Sequence, residues 1–269
     1  MTIEQGSSVS SEPILSVRNL VKKFGGLTAV NDVSLDIHPG EVVGLVGDNG
    51  AGKSTLIKCV SGVHHPDGGR IYFDGKEVHF SKPIEAREAG IETIYQDLAL
   101  AGNLDVSANI FLGREVKKRY LFGAVRTLDE PKMLDESNSI LDELGIHIPQ
   151  MRKEIEKLSG GQRQAVAIAR AIYWNARMMI MDEPTNNLGV PEQRKVMELI
   201  RALKSQMVPV IFISHTLPDV FAATDRIVVM HRGRKVAELA TSETNTTEIV
   251  EFMVGARHQA AAESTAPSI

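Results

Sequence analysis

A glycine-rich run that ends in a lysine and two hydroxyl residues is the first part of this sequence that could do chemistry. Residues 42–55 read VVGLVGDNGAGKST and contain the pattern G-x-x-x-x-G-K-[ST] between a strand-like run and a helix-like run. In such a loop backbone N–H groups surround phosphate, the lysine reaches the terminal phosphates and the following hydroxyl is available to magnesium. The pattern predicts nucleotide binding rather than an ordinary turn, through Gly47, Asp48, Asn49, Gly50, Ala51, Gly52, Lys53, Ser54 and Thr55.

Two adjacent carboxylates follow a later apolar run. Met178–Met181 read as a buried strand, and Asp182 and Glu183 come directly after it. In open α/β folds this edge of the sheet is where ligands bind. We expect Asp182 to hold Mg²⁺, directly or through water, and Glu183 to polarise the water that attacks the γ-phosphate. A solvated acidic loop is the alternative, and the phosphate loop makes it the weaker one.

A third signal is the pentapeptide LSGGQ, in which Ser159, Gly160, Gly161 and Gln162 precede the helical pattern Arg163–Tyr173. The start of that helix offers a second set of free N–H groups to an anion. A Ser-Gly-Gly loop alone is more often an ordinary helix cap. Two phosphate-facing helix starts are more than one nucleotide needs within one chain.

These motifs together closely resemble the ATP-binding cassette family, whose signature sequence is LSGGQ. The resemblance covers about residues 14–256. It implies an ATPase that uses ATP and Mg²⁺ and works as a homodimer, because in this family the phosphate loop of each subunit faces the signature of the other. The second phosphate-facing helix start, at LSGGQ, is then explained, because it serves the nucleotide that the other subunit binds.

Three further residues match the family at single positions. Gln96, in the run Ile94-Tyr95-Gln96-Asp97, resembles the glutamine that touches magnesium and water and relays to the membrane partner. His215 resembles the histidine that contacts the γ-phosphate. Phe24 is similar to the aromatic residue that stacks on adenine, although a core aromatic is the alternative.

One segment departs from the family. After Glu183-Pro184-Thr185 most members carry Ser-Ala-Leu-Asp, whereas this chain has Asn186-Asn187-Leu188-Gly189. The carboxylate that usually crosses the dimer interface is therefore missing at Gly189. We expect hydrolysis to persist, because the phosphate loop, the magnesium ligands and the base are unaffected, but we expect altered coupling between the two sites.

Composition sets limits on the partners. The 269 residues include 30 Lys and Arg against 34 Asp and Glu, a net charge of −4 that gives no general attraction for nucleic acid. A membrane span needs about 18 or more apolar residues, and the longest apolar runs here have the length of a strand. The first residues lack the features of a secretion signal, and Cys59 has no second cysteine to pair with, so we expect a reducing compartment.

The order of elements predicts an α/β fold, a P-loop NTPase with a parallel sheet core, an antiparallel β layer and an inserted helical subdomain at about 97–160. We expect one domain over 13–256, with disordered tails at 1–12 and 257–269. Turns are predicted at Pro39-Gly40 and Asp74-Gly75. The predicted strands are Ser34–Ile37, Val42–Val46, Arg70–Phe73, Ile91–Tyr95, Met178–Met181, Val210–Ile213 and Ile227–Met230, and the predicted helices are Lys53–Val60, Leu134–Leu144, Arg163–Tyr173, Glu192–Lys204 and Leu217–Ala223.

Flanking segments resemble those of monosaccharide importers, namely residues 90–96, 109–115 and 251–255. The chain has one phosphate loop and one LSGGQ, like the single-cassette members that include fructose-type importers. The implied partners are an integral membrane permease and an external or periplasmic sugar-binding protein, at the cytoplasmic face of a bacterial membrane. We expect the permease to dock near residues 97–115, where Leu98, Leu100 and Leu104 suit either a groove or a plain core. The alternatives are an importer of another solute and a soluble non-transport ATPase.

Overall fold

Two β-sheets form the centre of the fold, and in the computed structural model they lie on either side of one layer of buried side chains. The structure describes residues 12–95, 97–120, 125–186 and 188–256. The strands are β1 Leu15–Phe24, β2 Leu27–Ile37, β3 Val42–Gly47, β4 Gly68–Phe73, β5 Lys76–Val78, β6 Ile91–Ile94, β7 Lys117–Tyr120, β8 Val125–Leu128, β9 Met178–Asp182, β10 Val210–Ile213, β11 Arg226–His231 and β12 Arg234–Ala240. The helices are α1 Lys53–Val60, α2 Pro83–Ala89, α3 Val106–Ile110, α4 Glu130–Glu143, α5 Gly160–Tyr173, α6 Val190–Ser205, α7 Leu217–Ala223 and α8 Thr246–Met253, with short 3₁₀ turns at Ile155–Lys157 and Thr241–Glu243.

The central sheet has the strand order β12-β11-β3-β10-β9-β6. The neighbours from β11 to β6 are parallel, and only β12 is antiparallel to its partner. Every residue of β3 and β10 is buried, as expected for strands that are covered on both faces. Because all these parallel strands point the same way, the loops after β3, β9 and β10 meet at one edge of the sheet.

The second sheet is antiparallel, with the order β2-β1-β4-β5. Residues of β3 alternate between two cores: Val43 and Leu45 face the antiparallel sheet and α1, while Val42 and Val46 face the helices on the other side. The predicted α/β fold class is therefore confirmed, with its parallel core and its antiparallel layer. The Asp74-Gly75 turn is also confirmed, because Phe73 pairs with Lys76 across it.

The region predicted as a helical subdomain contains α3 and α4 but also a short hairpin of β7 and β8, which the sequence analysis did not predict. Phe111 is fully buried there, with its ring 4.6 Å from that of Tyr173 and 5.8 Å from that of Trp174. Leu98 and Leu100 pack against the core. That packing favours a core role over a groove for these two leucines.

Candidate functional site

The phosphate loop follows β3 and leads into α1, and its glycines are there for steric reasons. Gly47, Gly50 and Gly52 all have positive φ, at 150°, 79° and 100°. A Cβ atom on Gly47 would lie 2.3 Å from the carbonyl oxygen of Met230, and one on Gly52 would lie 2.4 Å from that of Ala29. Backbone packs tightly behind the loop, so its N–H groups can turn toward a ligand in front.

Lys53 crosses back over this loop. Its Nζ donates hydrogen bonds to the carbonyl oxygens of Gly47, at 2.6 Å, and of Asp48, at 3.1 Å. Burial lowers the pKa of Lys53, while the carboxylates of Glu183, Asp182 and Asp48 act in the opposite direction. The ammonium group is therefore held within the curve of the loop, where the terminal phosphates of a nucleotide would lie. Ser54, the first residue after it, is exposed.

The two carboxylates lie at the carboxyl end of β9. Asp182 is the last residue of that strand and pairs in register with Ile213 of β10. Burial and the neighbouring Glu183 raise the pKa of Asp182, and Lys53 and Lys58 lower it. The site thus places a partly buried carboxylate within the electrostatic reach of the lysine of the phosphate loop.

Glu183 adopts a backbone conformation that is uncommon for its residue type, with φ at +53°. Its N–H donates to the carbonyl oxygen of Ile213 at 2.9 Å, which ties the turn after β9 to the end of β10. His215 follows β10 and places Nδ1 2.8 Å from Oε2 of Glu183. The histidine side chain is 64% exposed and that of the glutamate 17%, so the pair opens to solvent through the histidine. Glu183 and His215 therefore lie side by side, in the arrangement of a base and the residue that orients it.

Two hydrogen bonds that the sequence analysis did not predict stabilise the loops that carry Glu183 and His215. The hydroxyl of Thr185 donates to Oδ2 of Asp219 at 2.7 Å, which joins the loop after β9 to α7. The N–H of Thr216 donates to the Ser214 hydroxyl at 3.0 Å. The first contact fixes the loop that carries Glu183 to α7, and the second orders the loop that carries His215.

A cleft of about 550 Å³ runs from the phosphate loop to the tip of the β1–β2 hairpin. Phe24 stands at that tip with 44% of its surface exposed, so it is a wall of the cleft and not a core residue. Its ring meets His64 edge-on at 5.2 Å, and Nζ of Lys22 lies 5.4 Å from its centre. Part of the remaining wall of the cleft was not predicted from the sequence. That part consists of Leu27, Thr28, Ala29, Arg232 and Gly233.

The LSGGQ segment caps α5. The backbone N–H of Ser159 donates to the Gln162 side chain at 3.0 Å, and the N–H of Gln162 donates to the Ser159 hydroxyl at 3.3 Å, which forms a capping box. A Cβ on Gly160 would lie 2.6 Å from Leu188, and one on Gly161 would lie 2.7 Å from Cγ of Glu192. Leu188 of the loop after β9 therefore packs on Gly160, and Glu192 at the start of α6 packs on Gly161.

Within one chain this segment stands apart from the nucleotide cleft. Among the residues described, none from 158–162 lines the cleft at Phe24 and Lys53. Ser159, Gly161 and Gln162 instead line a second cavity of about 310 Å³ beside α6. The structure thus brings Lys53, Asp182, Glu183 and His215 to one edge of the sheet and leaves the signature segment elsewhere.

The donor chemistry fits a magnesium ion that arrives with a nucleotide. The part of the chain that is described holds no cluster of three or more His, Cys, Asp or Glu residues suited to a metal. Mg²⁺ needs no such cluster, because it keeps several waters and binds one or two protein oxygens together with substrate phosphates. Ser54 and Asp182 supply such oxygens. The third predicted ligand, Gln96, and Asn187 of the departing segment lie outside the described residues, as do residues 1–11 and 257–269.

Comparison with known proteins decides the family. The family model described as ABC transporter matches residues 30–186, which include the phosphate loop, LSGGQ and both carboxylates. The chain belongs to the ABC transporter family. It is an ATP-binding, ATP-hydrolysing cassette, as the resemblance implied.

Three curated relatives illustrate the similarity of this cassette to transport proteins. It is 50% identical to the xylose/arabinose import ATP-binding protein XylG of Sulfolobus acidocaldarius, over 89% of this chain and 93% of the relative. It is 44% identical to the fructose import ATP-binding protein FrcA of Rhizobium meliloti, over 93% and 96%. It is 41% identical to the ribose import ATP-binding protein RbsA of Geobacillus kaustophilus, over 90% of this chain and 48% of that longer protein.

Solved structures agree on the fold of the cassette. A nucleotide-free ATP-binding cassette from an ABC transporter superposes with a TM-score of 0.74 at 28% identity, over 90% of this chain and 95% of that one. The cbiO1 protein of Clostridium perfringens, part of the transporter complex cbiONQ, gives a TM-score of 0.74 at 27% identity, over 92% and 96%. None of the helices described here has the length and hydropathy that a membrane span requires.

Proposed function

We propose that this cassette is the ATPase subunit that energises import of a monosaccharide through a membrane permease, at the cytoplasmic face of the membrane. The observation that carries the catalytic half is the meeting of Lys53, Glu183 and His215 at the ends of β3, β9 and β10. The transport half is supported by relatives named as xylose/arabinose and fructose import proteins, whose lengths this chain matches almost completely.

The side chains divide the work on ATP. Phe24 supplies a flat apolar surface for the base at one end of the cleft, and Lys53 with the loop N–H groups holds the phosphates at the other. Glu183 accepts the proton of the attacking water, and His215 orients Glu183 and faces the γ-phosphate. Ser54 and Asp182 are the residues that would hold Mg²⁺, which when bound would neutralise charge on the phosphates.

Two copies of the chain would complete the sites. Ser159 and Gly161 lie away from the cleft of their own chain, and the α5 N-terminus that they form is suited to an anion. In a face-to-face homodimer each signature would cover the γ-phosphate bound by the other copy. Hydrolysis would then weaken the contact between the copies and let them part.

The link to the permease would run through the segment after β6. Gln96 precedes a turn in which Leu98 and Ala99 have positive φ, and Arg170 of α5 donates to the carbonyl oxygens of both, at 3.3 Å and 3.0 Å. This contact ties the helix that begins at the signature to the turn beside Gln96. A movement of the permease against residues 97–115 would therefore reach both parts of the ATP site.

Sugar uptake in cells tests this function. A strain in which this gene is deleted would be complemented with the wild-type gene or with Glu183→Gln, and uptake of labelled xylose, arabinose, fructose and ribose would be measured. We expect at least one sugar whose uptake is lost on deletion, returns with the wild type and does not return with the variant. Unchanged uptake of all four sugars on deletion, with loss of another solute, would contradict sugar import and leave the ATPase assignment standing.

A further inference from the structure

The tip of the β11–β12 hairpin lies at the nucleotide cleft. Its first turn residue is of a type that the backbone conformation of the turn does not favour. His231 pairs with Arg234, so the turn between them is the two residues Arg232 and Gly233. Both have positive φ, +47° and +79°. Two-residue turns in which both φ values are positive strongly prefer Asn, Asp or Gly at the first position, because other side chains are strained there.

Another hairpin of the same chain carries a favoured residue at the first position of its turn. The hairpin of β4 and β5 turns through Asp74 and Gly75, with φ of +54° and +72°, and it carries the expected aspartate. At the β11–β12 tip an arginine stands in the equivalent place. A strained residue that is kept in place by its surroundings points to a role other than making the turn.

This turn is fixed directly on the phosphate loop. The N–H of Gly233 donates to the carbonyl oxygen of Ala51 at 2.9 Å, and the N–H of Asn31 donates to that of Gly233 at 2.7 Å. A Cβ on Gly233 would lie 2.9 Å from the carbonyl oxygen of Ala29, so the backbone here is in close contact with β2. Arg232 is thus held at a constant position beside the residues that surround phosphate.

The guanidinium of Arg232 is also without a partner among the described residues. Within the described residues no hydrogen bond or ion pair involves its side chain, although the residue is exposed and lines the cleft together with Phe24 and Lys53. Arg226 at the start of β11, in contrast, pairs with Glu41 and Glu238. A cleft that receives the charge of a nucleoside triphosphate is the environment in which an arginine without a protein partner is stabilised.

We infer that Arg232 binds nucleotide, with its guanidinium donating charge-assisted hydrogen bonds to phosphate oxygens of ATP. This inference rests on the proposed function only in taking the cleft as the ATP site. The chain then holds the phosphates from two directions, through Lys53 of the phosphate loop and through Arg232 at the hairpin tip. ADP, which keeps two phosphates, would use the same contact, whereas adenosine would not.

Three variants of the full-length protein test the role of Arg232. Arg232→Gln removes the charge, and Arg234→Gln is its matched control, because Arg234 is equally exposed on the same hairpin and does not line the cleft. Arg232→Asn places a favoured residue in the turn. Binding of Mg-ATP, Mg-ADP and adenosine would be measured by calorimetry, and thermal stability would be measured without ligand.

We expect both Arg232 variants to bind Mg-ATP and Mg-ADP about tenfold more weakly, with adenosine binding unchanged and Arg234→Gln within about twofold of the wild type. Arg232→Asn should melt at the same or a higher temperature than the wild type, so that its affinity and stability move in opposite directions. Unchanged ATP affinity, or an equal loss in Arg234→Gln, would overturn the inference. The proposed ATP site would fail separately, if Lys53→Ala also bound ATP normally.

Discussion

His215 holds Nδ1 2.8 Å from Oε2 of Glu183, although the two residues follow different strands and are 32 positions apart (215 − 183). The parallel pairing of β9 and β10 makes this contact possible, because it brings both strand ends to the same edge in register. Glu183 is also tied to Ile213 through its backbone, in a left-handed conformation. Glu183, the proposed base, is therefore oriented from two sides before any substrate binds.

Replacing the base gives the first prediction. Glu183→Gln keeps the shape of the side chain but cannot accept the proton of the attacking water, so ATP hydrolysis should fall at least about a hundredfold. Binding of Mg-ATP should be unaffected, and the ATP-bound dimer should persist. Single-turnover hydrolysis and light scattering measure the two effects, with Glu88→Gln, an exposed glutamate of α2, as the control. Wild-type turnover in Glu183→Gln would remove Glu183 from the role of base.

The second prediction concerns stability and pH. Burial and Glu183 raise the pKa of Asp182, so its ionised form lowers the free energy of unfolding above the folded pKa. As the pH falls below the ordinary pKa of aspartate, about 3.9, the side chain becomes protonated in both states and this cost disappears. Without nucleotide and magnesium, Asp182→Asn should therefore melt higher than the wild type at pH 7.

The pH course of that difference is the check. Melting curves from pH 8 down to about pH 4 should show the stabilisation by Asp182→Asn shrinking toward zero. Asp135→Asn, at an exposed position on α4, should show no such trend. A destabilised Asp182→Asn protein, or a difference that is independent of pH, would contradict the electrostatic description of the site. Loss of magnesium-dependent hydrolysis is expected in the same variant.

The third prediction tests why the signature segment contains glycine. In Gly161→Ala the new Cβ would lie 2.7 Å from Cγ and 2.9 Å from Cβ of Glu192, so the start of α6 must shift. We expect a loss of about 1–3 kcal/mol in the free energy of unfolding, as for other overpacked sites. Gly68→Ala is the control, because its nearest neighbour would be 3.5 Å away. Urea denaturation measures both, and equal stability of the two variants would show that the packing of Glu192 on Gly161 is not tight.

The sequence predicted the three strands that lead to the candidate site, because their patterns are local. The apolar strands β3, β9 and β10 are buried on both faces, so each is recognisable as a continuous apolar run. Strands β1 and β12 were not predicted, since charged residues interrupt them on their outer faces. The hairpin of β7 and β8 was missed for a similar reason, as its first strand reads Lys-Lys-Arg-Tyr.

Several residues that line the cleft could not be predicted from sequence patterns. Thr28, Ala29 and Gly233 meet the phosphate loop only because two hairpins from distant parts of the chain fold over it. A glycine shortly after the apolar run Ile227–Met230 was the available signal for the second hairpin. Even so, the pairing of that hairpin with the phosphate loop depends on the order of strands in the sheet, which spacing along the chain does not encode.

The central claim is that each ATP site combines the phosphate loop of one copy with the signature of another. Mixing two inactive variants, Ser159→Arg and Lys53→Ala, tests this claim directly. The arginine would crowd the γ-phosphate bound by the partner, and the alanine removes the lysine that contacts the phosphates, so neither variant alone should hydrolyse ATP. In a mixed dimer one site keeps a wild-type Lys53 facing a wild-type Ser159, while the other site carries both defects.

The measurement is the ATPase rate against the mixing ratio, at protein concentrations where light scattering confirms dimers. We expect activity to appear on mixing and to peak near equal amounts of the two variants, where mixed dimers are most abundant. The absent carboxylate at Gly189 should favour this recovery, because loosely coupled sites can turn over singly. Full activity of Ser159→Arg on its own, with dimers confirmed, would contradict a site shared between two copies.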